Sequence, residues 1–153
     1  MDARAFITGV SGLALTADER AFLREQQPWG FILFKRNVES PSQVKDLVAS
    51  LRECVGRHDA PVLIDQEGGR VQRLGPPHWP IYPPGAVFGL LYDKDPGLGL
   101  RAAHFAAALI AFDLSALGIT VDCLPLADVP VAGADAVIGN RAYGTEPGKV
   151  AAI

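Results

Sequence analysis

The sequence predicts an α/β fold of parallel strands joined by crossover helices, and three observations predict it. Short apolar runs alternate with capped, amphipathic helical segments along the 153 residues, the order that builds βαβ units. The apolar runs are continuous rather than alternating, as in strands covered on both faces. Two long loops each follow such a run, and the carboxyl edge of a parallel sheet is where ligand-binding loops gather.

The elements follow in order. Ala3–Gly9 (ARAFITG) reads as a first strand, with apolar Phe6 and Ile7. Thr16 then caps a helix. Glu19 lies three residues on, the spacing at which two side chains satisfy each other's backbone N–H groups. This helix reaches about Gln27 and stops before Pro28. Gly30–Lys35 (GFILFK) is the second strand. Ser40, Pro41 and Gln43 supply a cap, a proline for the first turn and a capping-box partner for the second helix. Its apolar stripe is Val44, Leu47, Val48, Leu51 and Val55, and Gly56 follows as a C-cap. Pro61–Asp65 (PVLID) is the third strand and ends on a carboxylate. Residues 66–86 are too rich in Pro and Gly to be regular, and so long a loop in a compact domain is usually functional. Asp95 and Pro96 start the longest helix, which ends near Leu117. Its stripe of Leu98, Ala102, Phe105, Leu109, Phe112 and Ala116 is expected to be core. Ile119–Cys123 (ITVDC) is the fourth strand, residues 124–144 form the second long loop, and Thr145 begins another helix.

Four βα units at this spacing make half of a (β/α)8 barrel, which typically needs ~250 residues. The terminal KVAAI is helix-forming and lacks a stop. The expectation is the N-terminal half of a TIM barrel, residues 1–153 being the N-terminal part of a single barrel domain in a chain that stops early.

Composition narrows the function classes. Fourteen Lys and Arg against seventeen Asp and Glu leave a net charge of −3, the wrong sign for a nucleic-acid binder. No uninterrupted apolar run reaches the ~20 residues of a bilayer span, so no membrane partner is expected. MDARAFITGVSG has no long apolar segment, from which a cytoplasmic protein is expected. Cys54 and Cys123 are expected to be two buried thiols in a reducing compartment. His58, His78 and His104 pair neither with each other nor with the cysteines at ligand spacing, so neither metal nor other cofactor is expected.

The chemistry concentrates in Asp65-Gln66-Glu67-Gly68-Gly69-Arg70-Val71-Gln72-Arg73. Asp65 ends a buried strand, where a carboxylate can accept hydrogen bonds from neighbouring hydroxyls, as a sugar would offer. The glycine pair allows a sharp turn and close backbone approach. Arg70 and Arg73 can pair with Asp65 or Glu67, or reach ligand oxygens. Glu67 reads as a local salt-bridge partner, and Trp79 and Tyr82 as packing residues of the loop.

The stretch DQEGGRVQRL resembles the signature of bacterial β-N-acetylglucosaminidases of glycoside hydrolase family 3. GFILFKRN, LGITVDCLPLADV and IGNRAYGTEP resemble that family's second strand, fourth strand with its Pro-x-x-Asp-Val turn, and Ile-Gly-x-Arg-Ser-Tyr/Phe loop, in the same order. Ala142 stands where the family usually has serine. The resemblance implies a (β/α)8 hydrolase removing terminal β-linked N-acetylglucosamine from peptidoglycan-derived muropeptides by a retaining mechanism, with that sugar as its small-molecule partner. It implies that Asp65, Arg73 and Arg141 bind the sugar, Asp65 accepting from ring hydroxyls and the arginines donating to oxygens and orienting Asp65. Apart from the resemblance, Arg141 can be read as bracing its loop through Asp128 or Asp135, and Asp128 as capping a turn. The family's nucleophilic Asp, its acid/base His and its Lys-His-Phe-Pro-Gly-His-Gly motif have no match here and would fall after Ile153. No residue of this segment is therefore expected to be catalytic, and the segment alone is expected to be inactive. The alternatives are a β-glucosidase or β-xylosidase of the same family, or a non-catalytic sugar-binding fragment.

Overall fold

The structure is a computed structural model describing residues 3–133 and 135–153. It divides into two compact units, Met1–Asp65 with Phe112–Asp122, and Gln66–Ala111 with Cys123–Ile153.

The first unit carries a parallel four-stranded sheet. Its strands β1 (Arg4–Thr8), β2 (Pro28–Leu33), β3 (Val62–Ile64) and β6 (Val121–Asp122) lie side by side in chain order. Phe31 pairs with Val62, Leu33 with Ile64, and Ile64 with Asp122. Phe31, Leu33, Val62 and Ile64, on one face of the sheet, are fully buried, whereas Ile32 and Leu63 on the opposite face are only half-buried, so the expected cover on both faces holds for one face only. Helix α1 (Ala17–Gln26) has the expected reciprocal cap between Thr16 and Glu19. Helix α2 (Pro41–Val55) starts at Ser40, whose hydroxyl accepts from the Gln43 N–H, and ends on Gly56 at φ 63°. The other half of that expected capping box is displaced by one residue, because Gln43 Oε1 accepts from the Glu39 N–H. Val44, Leu47, Val48, Leu51 and Val55 are all buried. Asn37 is buried where β2 gives way to a 3₁₀ turn. Its amide donates to the carbonyls of Val10 and Gly12 and accepts from the Phe34 N–H, so one side chain fixes the loop after β1 against the end of β2.

The second unit begins with a small antiparallel hairpin, β4 (Gln66–Gly68) and β5 (Val71–Gln72). Helix α3 (Gly85–Lys94) follows, taking in the last two residues of the expected 66–86 loop and residues 87–94, where the sequence predicts no element. Helix α4 (Pro96–Ser115) starts as expected and spans residues of both units. A 3₁₀ turn, Gly139–Arg141, and helix α5 (Pro147–Ala152) complete the chain.

Two expectations require correction. The stripe assigned to the core of α4 is largely exposed, Phe105 at 63% and Phe112 at 73%, whereas Ile110, Leu114 and Leu117 are buried. Periodicity identifies an apolar face but not what covers it, and on this helix a second face carries the burial. Separately, and without overturning the expectation of no membrane partner, α4 has by length and composition alone the makings of a membrane span, with a mean hydropathy of 1.3 over an 18-residue window. Arg101 and Asp113 interrupt its apolar run, which hides this from a count of uninterrupted residues. Finally, Cys54 is buried but Cys123 is exposed. Cys123 lies one residue past the short β6, where the chain has already left the sheet.

Candidate functional site

Asp65 directly follows β3, so it stands at the carboxyl end of the parallel sheet, half-buried. Asp122, the last residue of the adjacent β6, is in register with Ile64. Of these two neighbouring strands, β6 therefore finishes on a carboxylate and β3 is followed directly by one. Asp65 closes the first unit, and the two arginines expected beside it, Arg73 and Arg141, belong to the second.

The second unit shows how the segment after Asp65 holds its shape. Gln66 is 1% exposed. Its Oε1 accepts from the N–H groups of Arg73 at 2.8 Å and Leu74 at 2.9 Å, and its Nε2 donates to the Leu74 carbonyl at 3.0 Å. One buried amide thus closes the hairpin and fixes the backbone of Arg73. Gln72 works on the outer side, with Nε2 donating to the carbonyls of Leu74 and Pro80 and Oε1 accepting from the Tyr82 N–H. Gly68 and Gly69 make the turn at φ 87° and 58°. A Cβ on Gly69 would lie 2.7 Å from that of Pro84, so the glycine pair serves both expected purposes, turning and close approach. Trp79 and Tyr82 are buried, as the packing reading of these rings requires.

The Gly139–Arg141 turn is held from two sides. On one side, Glu67 accepts from Arg141 Nε at 2.8 Å and from Arg141 Nη2 at 2.7 Å, a two-pronged ion pair. The Glu67 side chain is 8% exposed and that of Arg141 19%. Arg70 Nη2 donates to the carbonyls of Val137 and Ile138. On the other side lies α3. A Cβ at Gly85 would fall well inside contact distance of the Arg141 carbonyl oxygen, and one at Gly89 would do the same to Tyr143. The helix surface lacks side chains at those two positions, four residues apart, and the 141–143 backbone occupies the space. Phe88 and Tyr143 add a ring contact at 6.3 Å between centroids.

Arg141 is therefore braced, but by Glu67, 74 residues away in sequence, and not by Asp128 or Asp135, the partners of the alternative reading. Asp135 instead accepts from the Val137 N–H, and Asp128 is exposed. Sequence reasoning missed Gln66, Gln72 and the Gly85–Gly89 pair. The signals were present as a glutamine at each end of the hairpin and a four-residue glycine spacing just after a proline pair. Chemically, the cluster presents a guanidinium locked along one edge by a carboxylate. A guanidinium so held is of the chemical type that donates to hydroxyl or carbonyl oxygens.

Fold and site define a parallel α/β protein whose third strand is followed directly by a carboxylate and then by a glutamine-braced, arginine-bearing hairpin. The chain belongs to glycosyl hydrolase family 3, the N-terminal domain of which it matches over residues 6–153. It is 39% identical over 147 residues to the beta-hexosaminidase of Stenotrophomonas maltophilia (strain K279a), covering 96% of this chain and 43% of that one. Among solved structures it is similar to NagZ from Neisseria gonorrhoeae in complex with N-trifluoroacetyl-D-glucosamine, with a TM-score of 0.87 and 31% identity over 98% of this chain and 44% of that one. It is also similar to a family 3 beta-N-acetylglucosaminidase from Paenibacillus sp. str. FPU-7, at a TM-score of 0.82 and 32% identity over 96% of this chain and 27% of that one. The chain thus spans less than half the length of these relatives.

Proposed function

We propose that this chain forms part of the sugar-binding side of a (β/α)8 β-N-acetylhexosaminidase. The substrate is a terminal, non-reducing β-linked N-acetylglucosamine on peptidoglycan-derived muropeptides, handled in the cytoplasm. The observation that carries the reading is the position of Asp65, immediately beyond β3 at the carboxyl edge of the sheet and immediately before the braced hairpin. The relatives' activity, and a glucosamine derivative bound to one of them, support the choice of sugar.

In this reading the Asp65 carboxylate accepts from two adjacent ring hydroxyls. The guanidiniums of Arg73 and Arg141 donate to hydroxyl or carbonyl oxygens of the same sugar. Such charge-assisted contacts are shorter and stronger than neutral ones and fix the ring's orientation. Retaining hydrolysis then proceeds in two displacements. A carboxylate attacks the anomeric carbon as the glycosidic oxygen takes a proton and leaves, and water next attacks the glycosyl-enzyme and releases the sugar with its β configuration restored. The nucleophile and the acid/base belong to the part of the family's length that this chain does not span. The role of residues 1–153 is to hold and orient the sugar.

The test is hydrolysis by the intact gene product of 4-nitrophenyl N-acetyl-β-D-glucosaminide against the corresponding β-D-glucoside and β-D-xyloside. The expected result is a clear preference for the N-acetylglucosaminide. A preference for the glucoside or xyloside, or turnover of none of the three, overturns the assignment.

A further inference from the structure

We infer that Glu67 is a positioning residue, selecting which edge of the Arg141 guanidinium faces the sugar. The inference rests on the reading of Arg141 as a sugar-binding residue. The geometry carries it. The Glu67 carboxylate takes both Nε and Nη2 of Arg141, at 2.8 and 2.7 Å, and this side-on pairing fixes the plane of the guanidinium as well as its position. The Nε–Nη2 edge is therefore committed to Glu67 and turned away from any ligand.

The surroundings make the choice of edge firm. Glu67 lies on β4, whose neighbour Gln66 is locked by three hydrogen bonds. The Arg141 backbone is seated against the bare helix surface at Gly85. Arg70 fixes the carbonyls that precede the turn. Both ends of the ion pair are thus anchored by backbone, so the pair cannot follow a displaced ligand. An arginine without the carboxylate keeps its charge but samples several rotamers, and the sugar must order it on binding, which weakens binding. Glu67 sits two residues from Asp65, so one short segment would supply a sugar-binding carboxylate and the carboxylate that aims its partner arginine.

The experiment uses the intact gene product with 4-nitrophenyl N-acetyl-β-D-glucosaminide and the variants Glu67→Gln, Arg141→Lys and their combination. Glu67→Gln is expected to raise KM by roughly tenfold, the size of losing one charge-assisted contact, and to change kcat far less. Arg141→Lys is expected to raise KM at least as much, and the double variant no further than Arg141→Lys alone, because the two residues act through one contact. A purely structural Glu67 would lower thermal stability and leave KM in place. Should Glu67→Gln fail to fold, Glu67→Asp serves instead. It keeps the charge but is one methylene short of the two-pronged geometry, and the same rise in KM is expected. Arg141→Lys impaired with the Glu67 variant at wild-type KM overturns the positioning role alone. Arg141→Lys at wild-type KM overturns the sugar-binding reading of Arg141 and this inference with it.

Discussion

Replacing Gln66 with leucine tests how the hairpin after Asp65 is held. The side chain is 1% exposed, so leucine, of similar volume, fits without a cavity. Three hydrogen bonds disappear, but their consequences differ. The Leu74 carbonyl keeps the bond from Gln72 Nε2 at 2.7 Å. The Leu74 N–H loses its acceptor inside a residue that is fully buried, at a cost of about 1–3 kcal/mol. The Arg73 N–H also loses its acceptor, but Arg73 is half-buried and water can partly replace it. Burying an apolar side chain in place of an amide offsets part of the loss. The net destabilisation is then about 2–3 kcal/mol. Urea unfolding followed by circular dichroism should show a lower midpoint with an unchanged slope, and hydrogen exchange should accelerate first at the Leu74 amide. A midpoint within error of wild type, with the Leu74 amide still protected, would refute the claim that this one amide closes the hairpin.

Other expectations concern the turn and the first helix. Gly85→Ala should destabilise by about 1–3 kcal/mol through overpacking, because the new methyl would collide with the Arg141 carbonyl oxygen. An unchanged melting temperature would contradict the close seating of the 141–143 backbone on α3. Partial burial pushes the Glu19 carboxyl up, but the N–H groups of Thr16 and Ser11 outweigh this and hold it below the usual carboxylate range. Its contribution is therefore complete above the unfolded-state pKa and lost as pH falls through the lower folded-state value. Glu19→Gln should flatten that part of the acid limb of a pH–stability curve, and an unaltered acid limb would show that the capping box contributes nothing there.

What could be read from the sequence follows from where the determining forces lie. Helices α1 and α2 were legible because their caps are local. Thr16–Glu19 and Ser40–Pro41 announce a start within four residues, and Gly56 announces a stop. Strands β2 and β3 were legible as continuous apolar runs, although only one face of each, Phe31 with Leu33 and Val62 with Ile64, is fully buried. Helix α3 was not, because it begins after a proline pair with no side-chain cap and contains two glycines, a composition that reads as loop. Those glycines are present for a tertiary reason, the approach of residues 141–143, which no local pattern reveals. The same holds for the site. Asp65 was visible as a carboxylate at a strand end, and the hairpin glycines as a turn. The partner of Arg141 was not, since Glu67 lies 74 residues away and nearer acidic residues, Asp128 and Asp135, offered simpler pairings. The apolar stripe of α4 shows the converse failure, a strong periodic signal on a face that this chain leaves uncovered.

The central claim is that Asp65 takes the hydroxyls of a sugar, and a crystal structure of the intact gene product with N-acetyl-D-glucosamine measures it directly. Both Asp65 carboxylate oxygens should lie about 2.5–3.0 Å from adjacent ring hydroxyls, with Arg73 and Arg141 donating to oxygens of the same ring. A sugar bound elsewhere, or bound here with Asp65 turned away from it, would contradict the account.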